Sequence, residues 1–478
     1  MVIVKSKSGI FNGTIINETT NRFLGIQYAT AERFRDPVDI LSYSEVVDAI
    51  EFGPQSPQVP GFMEDILNTK QIPVSENCLF LNIWAPQDLA KTYPVLFWIH
   101  GGAFTNGTGA TSWYDGLNLS KLGDVVVVTI NYRLGPFGFI GDDNFGLLDQ
   151  ISALRWVNRN IAAFGGDSSN VTVFGESAGG SSVVALTASP LAHGLVARGW
   201  ASSPSLLQLR SKQDADTSLQ RFLTATQCTK LTEVEKLSTE QIIDATAKMF
   251  VDTDGLVSTS YISTFSPTCG GSGLPLEPYE ASGSTSVPLV IGTNRDENRL
   301  WTAINPQAAL IDESTAKDFF REVFSDQTDD SWLEYSQHRP NHTPAQLVAA
   351  MHTDHFFRAP AWSLCSTRNS KSAKTWLYWF TWATPVFDGA LGCCHALDLP
   401  FLFSNLDKPN IELFTGSDSE RTLISTHFTS ELISFAKTGE VFWPQFTDDQ
   451  PFTLQIDVEK TIINDPEPKL RVRWASLM

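Results

Sequence analysis

Apolar residues along this chain gather in short unbroken runs, most of them closed by a glycine-bearing or polar turn. "YPVLFWIHGGAF", "DVVVVTINYRLG", "NVTVFGESAGG", "VPLVIGTNRDE" and "KTWLYWFTW" are the clearest. A strand with one wet face alternates apolar and polar positions; these runs do not, so both of their faces are expected to be covered. Between the second and third, "GLLDQISALRWVNRNIAAFGG" sets Leu147, Leu148, Ile151, Leu154, Val157 and Ile161 at helical spacing, and its glycine pair stops the helix. Strand, helix, strand is a βαβ unit, which predicts an α/β fold with a large, mostly parallel central sheet flanked by helices.

The pattern changes twice. From about 204 to 286 it turns to polar helices and then to the Gly-, Ser- and Pro-rich stretch "SPTCGGSGLPLEPYEASGSTSVP", read as a loop; from about 297 to 370 a second helical stretch returns through "KTWLYWFTW". Strong sheet elements resume after each. Both are therefore read as excursions over the sheet from one domain spanning residues 1–478, and not as domain boundaries.

Composition narrows the class. Of 478 residues, 42% are hydrophobic and 18% charged, which supplies a large core and excludes a disordered chain or a disulfide mini-scaffold. The net charge of -19, with no Lys/Arg run to follow a phosphate backbone, argues against nucleic acid as a partner. Apolar runs such as "VLFWI" are far shorter than the ~20 residues that span a bilayer. "MVIVKSKSGIFNG" has neither a signal-peptide core nor a transit-peptide look, so a cytoplasmic location is expected, a secreted mature form with a replaced N-terminus staying open. The six cysteines show no metal-ligand spacing. Reduced thiols are expected, with a Cys228–Cys269 bridge left open.

The chemistry concentrates at "GESAG", residues 175–179, a G-x-S-x-G pattern that leaves a strand candidate and enters a helix candidate. Such a turn forces Ser177 into an uncommon backbone conformation and lifts its hydroxyl clear, while the flanking glycines leave room where a Cβ would collide. The Ala178 N–H, at the helix start, faces the place where negative charge would collect. "WIHGGAF" ends another strand in consecutive small residues, as a loop donating N–H groups to an oxyanion needs. Gly102 and Ala103 are the expected donors and Gly101 the flexible member, while His100 is read as fixing the loop.

Taken with "FLGIQYATAERFRDP", "SENCLFLNIW", "NYRLGPFGF", "GTNRDEN", "GCCHALDLPFLFSNL" and "FAKTGEVFWPQF", these segments resemble the successive signatures of type-B carboxylesterases, the α/β-hydrolase group that includes cholinesterases and fungal lipases. The resemblance covers nearly the whole chain and implies the α/β-hydrolase fold with serine, acid and histidine in that chain order. His395 follows a strand and a glycine-bearing loop, as a loop-borne base should, and the resemblance selects it too. His352 and His355 are read as packing residues. Spacing alone does not separate Asp296 from Glu297; resemblance to the family's D-E-G turn selects Glu297, leaving Asp296 as a solvent or helix-start residue. Asn298 stands where the family has glycine, a change that left-handed geometry would tolerate. Glu176 is expected as a polar anchor behind the serine.

The resemblance also places Phe104, Phe356, Phe357 and Phe401 near the pocket, which points to an apolar ester as the small-molecule substrate. Cys78 is expected to be free, because the loop before it offers only serines where secreted relatives carry a partner cysteine. The expected activity is a serine carboxylesterase acting through Ser177, His395 and Glu297 and an acyl-enzyme, needing no metal or organic cofactor, with a pH profile rising near ~6–7. Two alternatives stand beside it: an acyltransferase or a lactone-forming or lactone-opening enzyme using the same triad, and a non-catalytic adhesion or scaffold protein. Oligomeric state is not legible.

Overall fold

The computed structural model describes residues 1–59, 61, 72–251, 264–283 and 285–477. Among them, thirteen strands form one sheet. Twelve lie on one path: β1 (Val2–Lys5), β2 (Ile10–Ile16), β3 (Thr20–Gln27), β4 (Phe80–Pro86), β5 (Tyr93–Ile99), β6 (Val126–Ile130), β7 (Gly166–Glu176), β8 (Arg198–Ser202), β9 (Leu289–Asn294), β10 (Thr375–Phe380), β11 (Phe452–Ile456) and β12 (Lys460–Asn464). Their spatial order is β1-β2-β3-β4-β6-β5-β7-β8-β9-β10-β11-β12, with Val47–Asp48 pairing on β2.

From β6 through β11 all neighbours are parallel. These are the continuous apolar runs of the sequence, and β6, β9 and β10 are buried at every position. The antiparallel strands β1 to β4 at one edge were not anticipated, because β2 alternates between buried and partly exposed positions and carries no continuous apolar run.

Helix α1 (Phe145–Asn160) is the crossover between β6 and β7. It ends in a single 3-10 turn, Ile161–Phe164, closed by Gly165 at φ 81°. Asp149 on its buried face takes two hydrogen bonds from the Arg133 guanidinium, at 2.8 and 2.7 Å, and ties the helix to the loop after β6. Helix α2 (Ala178–Ala188) follows β7 directly and is buried along almost its whole length.

The first of the two stretches read as excursions carries α3 (Lys212–Ala225), and the second carries α4 (Pro344–Thr353) and α5 (Ala359–Ser370). Residues 252–263 of the first fall outside the described residues. The stretch read as one continuous loop contains a short helix, Pro278–Gly283. The buried Arg368 on α5 donates to the carbonyl and hydroxyl oxygens of Ser282, at 2.9 and 3.1 Å, fastening it in place. A long helix, α6 (Glu420–Thr438), and a C-terminal helix, α7 (Pro468–Ala475), complete the cover.

Candidate active site

Parallel strands leave their loops on one side, and the chemistry-bearing residues all lie there: residues 100–104 after β5, Ser177 after β7, Ser203 after β8, Glu297 after β9 and His395 after β10. Ser177 has φ 56° and ψ -120°, an uncommon conformation for a residue with a Cβ. Its N–H donates to the Ser202 carbonyl and its carbonyl accepts from Ser181 N–H, so the turn is held from both sides. A Cβ on Gly175 would stand 2.5 Å from the Gly179 backbone, and one on Gly179 would run into the Ile99 carbonyl. The glycines of the motif are therefore fixed by the closeness of strand and helix.

Glu297 and His395 meet on top of β9 and β10. His395 Nδ1 lies 2.6 Å from Glu297 Oε2, and the His395 backbone N–H donates to the Glu297 carbonyl at 3.1 Å. Glu297 Oε1 accepts from Ser203 Oγ at 2.6 Å and from the Asn294 N–H at 2.7 Å. One carboxylate oxygen is thus fully engaged by the scaffold and the other is left for the imidazole. Ser203 was missed in the sequence, where it is one of three serines in "SSPS" and nothing marks it.

Two expectations about neighbours are corrected. Asp296 is not a solvent residue: it is buried, its Oδ2 accepts the Cys393 N–H at 3.0 Å, and its own N–H donates to the Cys393 carbonyl at 2.9 Å. Burial would raise its pKa, but the guanidiniums of Arg295 and Arg299 hold its carboxyl below the ordinary value. Asn298 has φ -71°, so this position needs no left-handed residue and the change from glycine costs no strain.

Glu176 is likewise more than an anchor. Its Oε1 lies 3.0 Å from His395 Nε2, so the imidazole sits between two carboxylates. Burial disfavours the imidazolium, but Glu176 and then Glu297 outweigh it and bring the His395 pKa up to about 10. The sequence reading counted one carboxylate partner for this imidazole, and the fold supplies two. Asp398, one turn further on, is pushed up to about 8 by burial and by the charges of the same two glutamates. Ser177 Oγ is 3.5 Å from Ser205 Oγ.

The loop after β5 carries Gly102 at φ 101° and Ala103 at φ 52°. Gly101 is not in the left-handed region; a side chain is excluded there because a Cβ would lie 2.8 Å from Glu176 Oε2 and 3.1 Å from Ser177 Cβ. That closeness puts the loop against the Ser177 turn. His100 plays the expected structural part. Burial lowers its pKa to about 4, so the ring is neutral, and its Nδ1 lies 2.8 Å from the Gly101 carbonyl. That contact orients the Gly101–Gly102 peptide. The Tyr132 ring stacks on His100 with centroids 4.6 Å apart, and its hydroxyl donates to the His100 carbonyl at 2.9 Å.

Residues 2–472 match the model of the carboxylesterase family. The chain belongs to that family. It is 36% identical to a para-nitrobenzyl esterase of Bacillus subtilis over 98% of this chain and 97% of that one, and 29% identical to a phenmedipham hydrolase of Pseudarthrobacter oxydans over 91% of each. Among solved structures, a carboxylesterase of Geobacillus stearothermophilus superposes with a TM-score of 0.85 at 32% identity, covering 99% of this chain and 100% of that one. The fold is the α/β-hydrolase fold and the activity is that of a serine carboxylesterase.

Of the four phenylalanines assigned to the pocket of this carboxylesterase, one reaches the candidate site. The Phe357 ring lies 4.9 Å from the His395 ring, and Trp301, which the sequence did not single out, lies 5.1 Å from it on a half-exposed side chain. Phe357 sits on a π-helical turn, Asp354–Arg358, between α4 and α5, a geometry often found at functional sites. Phe104 packs on Phe139 at 5.1 Å and Phe401 on Phe380 at 5.4 Å, both fully buried as core residues. Phe356 stacks on His355 at 4.8 Å. His352 and His355 pack against aromatic rings, and no metal-ligand cluster occurs among the described residues. All six cysteines, Cys78, Cys228 and Cys269 included, are free thiols. No helix among the described residues is long and apolar enough to cross a membrane.

Proposed function

We propose that Ser177 is the nucleophile, His395 the general base and Glu297 its orienting acid, within one catalytic domain that comprises the chain. The observation that carries this reading is the 2.6 Å contact between His395 Nδ1 and Glu297, on loops that leave β9 and β10 at the same end of the sheet as the Ser177 turn. The nitrogen that would exchange protons is then Nε2, which in this structure faces Glu176 Oε1 at 3.0 Å and makes no hydrogen bond to Ser177 Oγ among the described residues, so the reading has Nε2 pass from Glu176 to Ser177 when substrate is bound. Ser177 Oγ bonds to the ester carbonyl carbon while its proton passes to Nε2; the N–H groups of Gly102, Ala103 and Ala178 receive the oxyanion. The tetrahedral intermediate then breaks its bond to the alkoxy oxygen, which leaves with the proton from Nε2. Water repeats the sequence on the acyl-enzyme and restores Ser177.

Trp301 and Phe357 beside His395 form an apolar wall next to the departing alcohol, which favours esters of aromatic or other apolar alcohols. Similarity to a para-nitrobenzyl esterase supports the same choice. The test is hydrolysis of para-nitrobenzyl and 4-nitrophenyl esters together with fluorophosphonate labelling. Ser177→Ala and His395→Ala are expected to lose about 10⁴- to 10⁶-fold in kcat, and Ser177→Ala to lose the label. A labelled Ser177→Ala protein would exclude Ser177 as the nucleophile.

A further inference from the structure

The loop that leaves β8 carries three successive hydroxyls with different partners. Ser202 Oγ accepts from Tyr378 Oη at 2.7 Å, Ser203 Oγ donates to Glu297, and Ser205 Oγ stands 3.5 Å from the Ser177 hydroxyl. The first two brace the sheet and the acid. Ser205 braces nothing. It occupies the N-cap of the 3-10 turn Leu206–Gln208, where a serine ordinarily accepts a backbone N–H, yet its side chain makes no cap bond and points to the nucleophile instead. It is 3% exposed, so its hydroxyl has exchanged water for Ser177.

A buried hydroxyl with a single long contact is poorly satisfied, and a ligand able to complete its hydrogen bonding gains from doing so. At 3.5 Å the contact is at the long limit for O–H···O and is easily given up. Acylation removes it. Once the Ser177 proton has passed to His395 and Oγ is bonded to the acyl carbon, Oγ is an ester oxygen and a weak partner. Ser205 then faces the acyl group with its hydroxyl free. The side is set by chemistry: the leaving alcohol must take its proton from His395, whereas Ser205 reaches Ser177 and makes no hydrogen bond to His395 or Glu176 among the described residues. A heteroatom on carbon 2 of the acyl group lies three bonds from Oγ, within the same sphere as the Ser205 hydroxyl.

We propose that Ser205 is a specificity-determining residue of the acyl site, its hydroxyl selecting esters of acids that carry a hydrogen-bonding oxygen or nitrogen on carbon 2. This rests on the esterase reading above and names the acid half of its substrate, as Trp301 and Phe357 name the alcohol half.

The test compares 4-nitrophenyl methoxyacetate with 4-nitrophenyl butyrate, acids of the same length that differ by an ether oxygen in place of a methylene. The intrinsic difference in reactivity between the two esters cancels when wild type and variant are compared. Ser205→Ala is expected to lower the ratio of kcat/KM for methoxyacetate over butyrate by about three- to tenfold, the range of one hydrogen bond. Ser205→Thr, which keeps the hydroxyl, is expected to restore it, while the ratio between ethyl and benzyl butyrate stays unchanged in both. An unchanged acid ratio in a Ser205→Ala protein that melts cooperatively would overturn the proposal, and so would a shift confined to the alcohol series. A wild-type protein that neither hydrolyses these esters nor takes a fluorophosphonate label would instead remove the esterase reading, and this one with it.

Discussion

Glu176 sits beside Ser177 in sequence and beside His395, the proposed base, in space, and its charge raises the pKa of that imidazole. With carboxylates on both ring nitrogens, His395 holds its proton well above the ordinary value of 6.5, at about 10. A general base must be neutral, so activity is present above that pKa and is lost as pH falls through it. The titratable groups facing the ring are Glu176, Glu297 and, through their charges, Asp398. We expect kcat/KM to climb on an alkaline limb, and Glu176→Gln, which removes one charge and keeps the shape, to move that limb down toward 6.5. A limb already near neutrality in the wild type and unmoved by Glu176→Gln would show that the Glu176 contact does not control the base. This effect was invisible in the sequence because the proximity of residues 176 and 395 is created by two different strand ends.

At the scale of elements, the Glu297 turn after β9 and the His395 loop after β10 are tied together. Asp296 joins them through two hydrogen bonds with Cys393, one to its carboxylate and one from its backbone N–H, and Gly392 at φ 57° packs so closely that a Cβ there would lie 2.8 Å from both Asp296 Oδ2 and the Arg299 guanidinium. Asp296 therefore positions the pair without touching it. Glu297→Gln is expected to lower kcat by about 10³- to 10⁴-fold, as when the orienting carboxylate of other triads is neutralised. Asp296→Asn is expected to spare most activity and to cost about 3 kcal/mol of stability by leaving Arg295 and Arg299 without their shared carboxylate. Kinetics and thermal melts of the two variants check this; equal kinetic damage would transfer the role of acid to Asp296. The β7–α2 turn was legible as an element because its glycines are dictated locally. The helix at Pro278–Gly283 was not, since a buried arginine from α5 holds it.

Across the whole molecule, the C-terminal helix α7 is pinned to the second excursion by buried charge. Glu467 stands before α7 and pairs with Arg339 and Arg358, all three side chains at most 11% exposed. The Arg358 guanidinium also lies 4.0 Å from the centre of the Trp379 ring, and Trp474 Nε1 on α7 donates to Tyr335 Oη at 2.8 Å. Burial would raise the Glu467 pKa, but Arg358 and Arg339 pull it down from 4.5 to about 2. A depressed carboxyl stabilises the fold above its unfolded value, and that stability is lost as pH falls through about 2. Glu467→Gln is expected to destabilise by about 3–5 kcal/mol, because two buried guanidiniums lose their counter-charge. A clear fall in Tm at neutral pH, shrinking as pH falls from 4.5 toward 2, is the result to look for; an unchanged Tm would mean that the pairing adds nothing to stability.

The sequence by itself determined the parallel core, the crossover helix, the tight strand-to-helix turn at Ser177 and the small-residue loop after β5, since each rests on a local pattern: continuous apolar runs, helical spacing, or glycines where a Cβ would collide. Together with family resemblance it also reached Glu297 and His395. Only the tertiary structure decided which groups surround them. Ser203 holding Glu297, Ser205 against Ser177, Glu176 on the far nitrogen of His395, and Trp301 beside the His395 ring all join residues that follow different strand ends. Contacts of that kind follow from strand order and loop path, and neither is written in the spacing of residues along the chain.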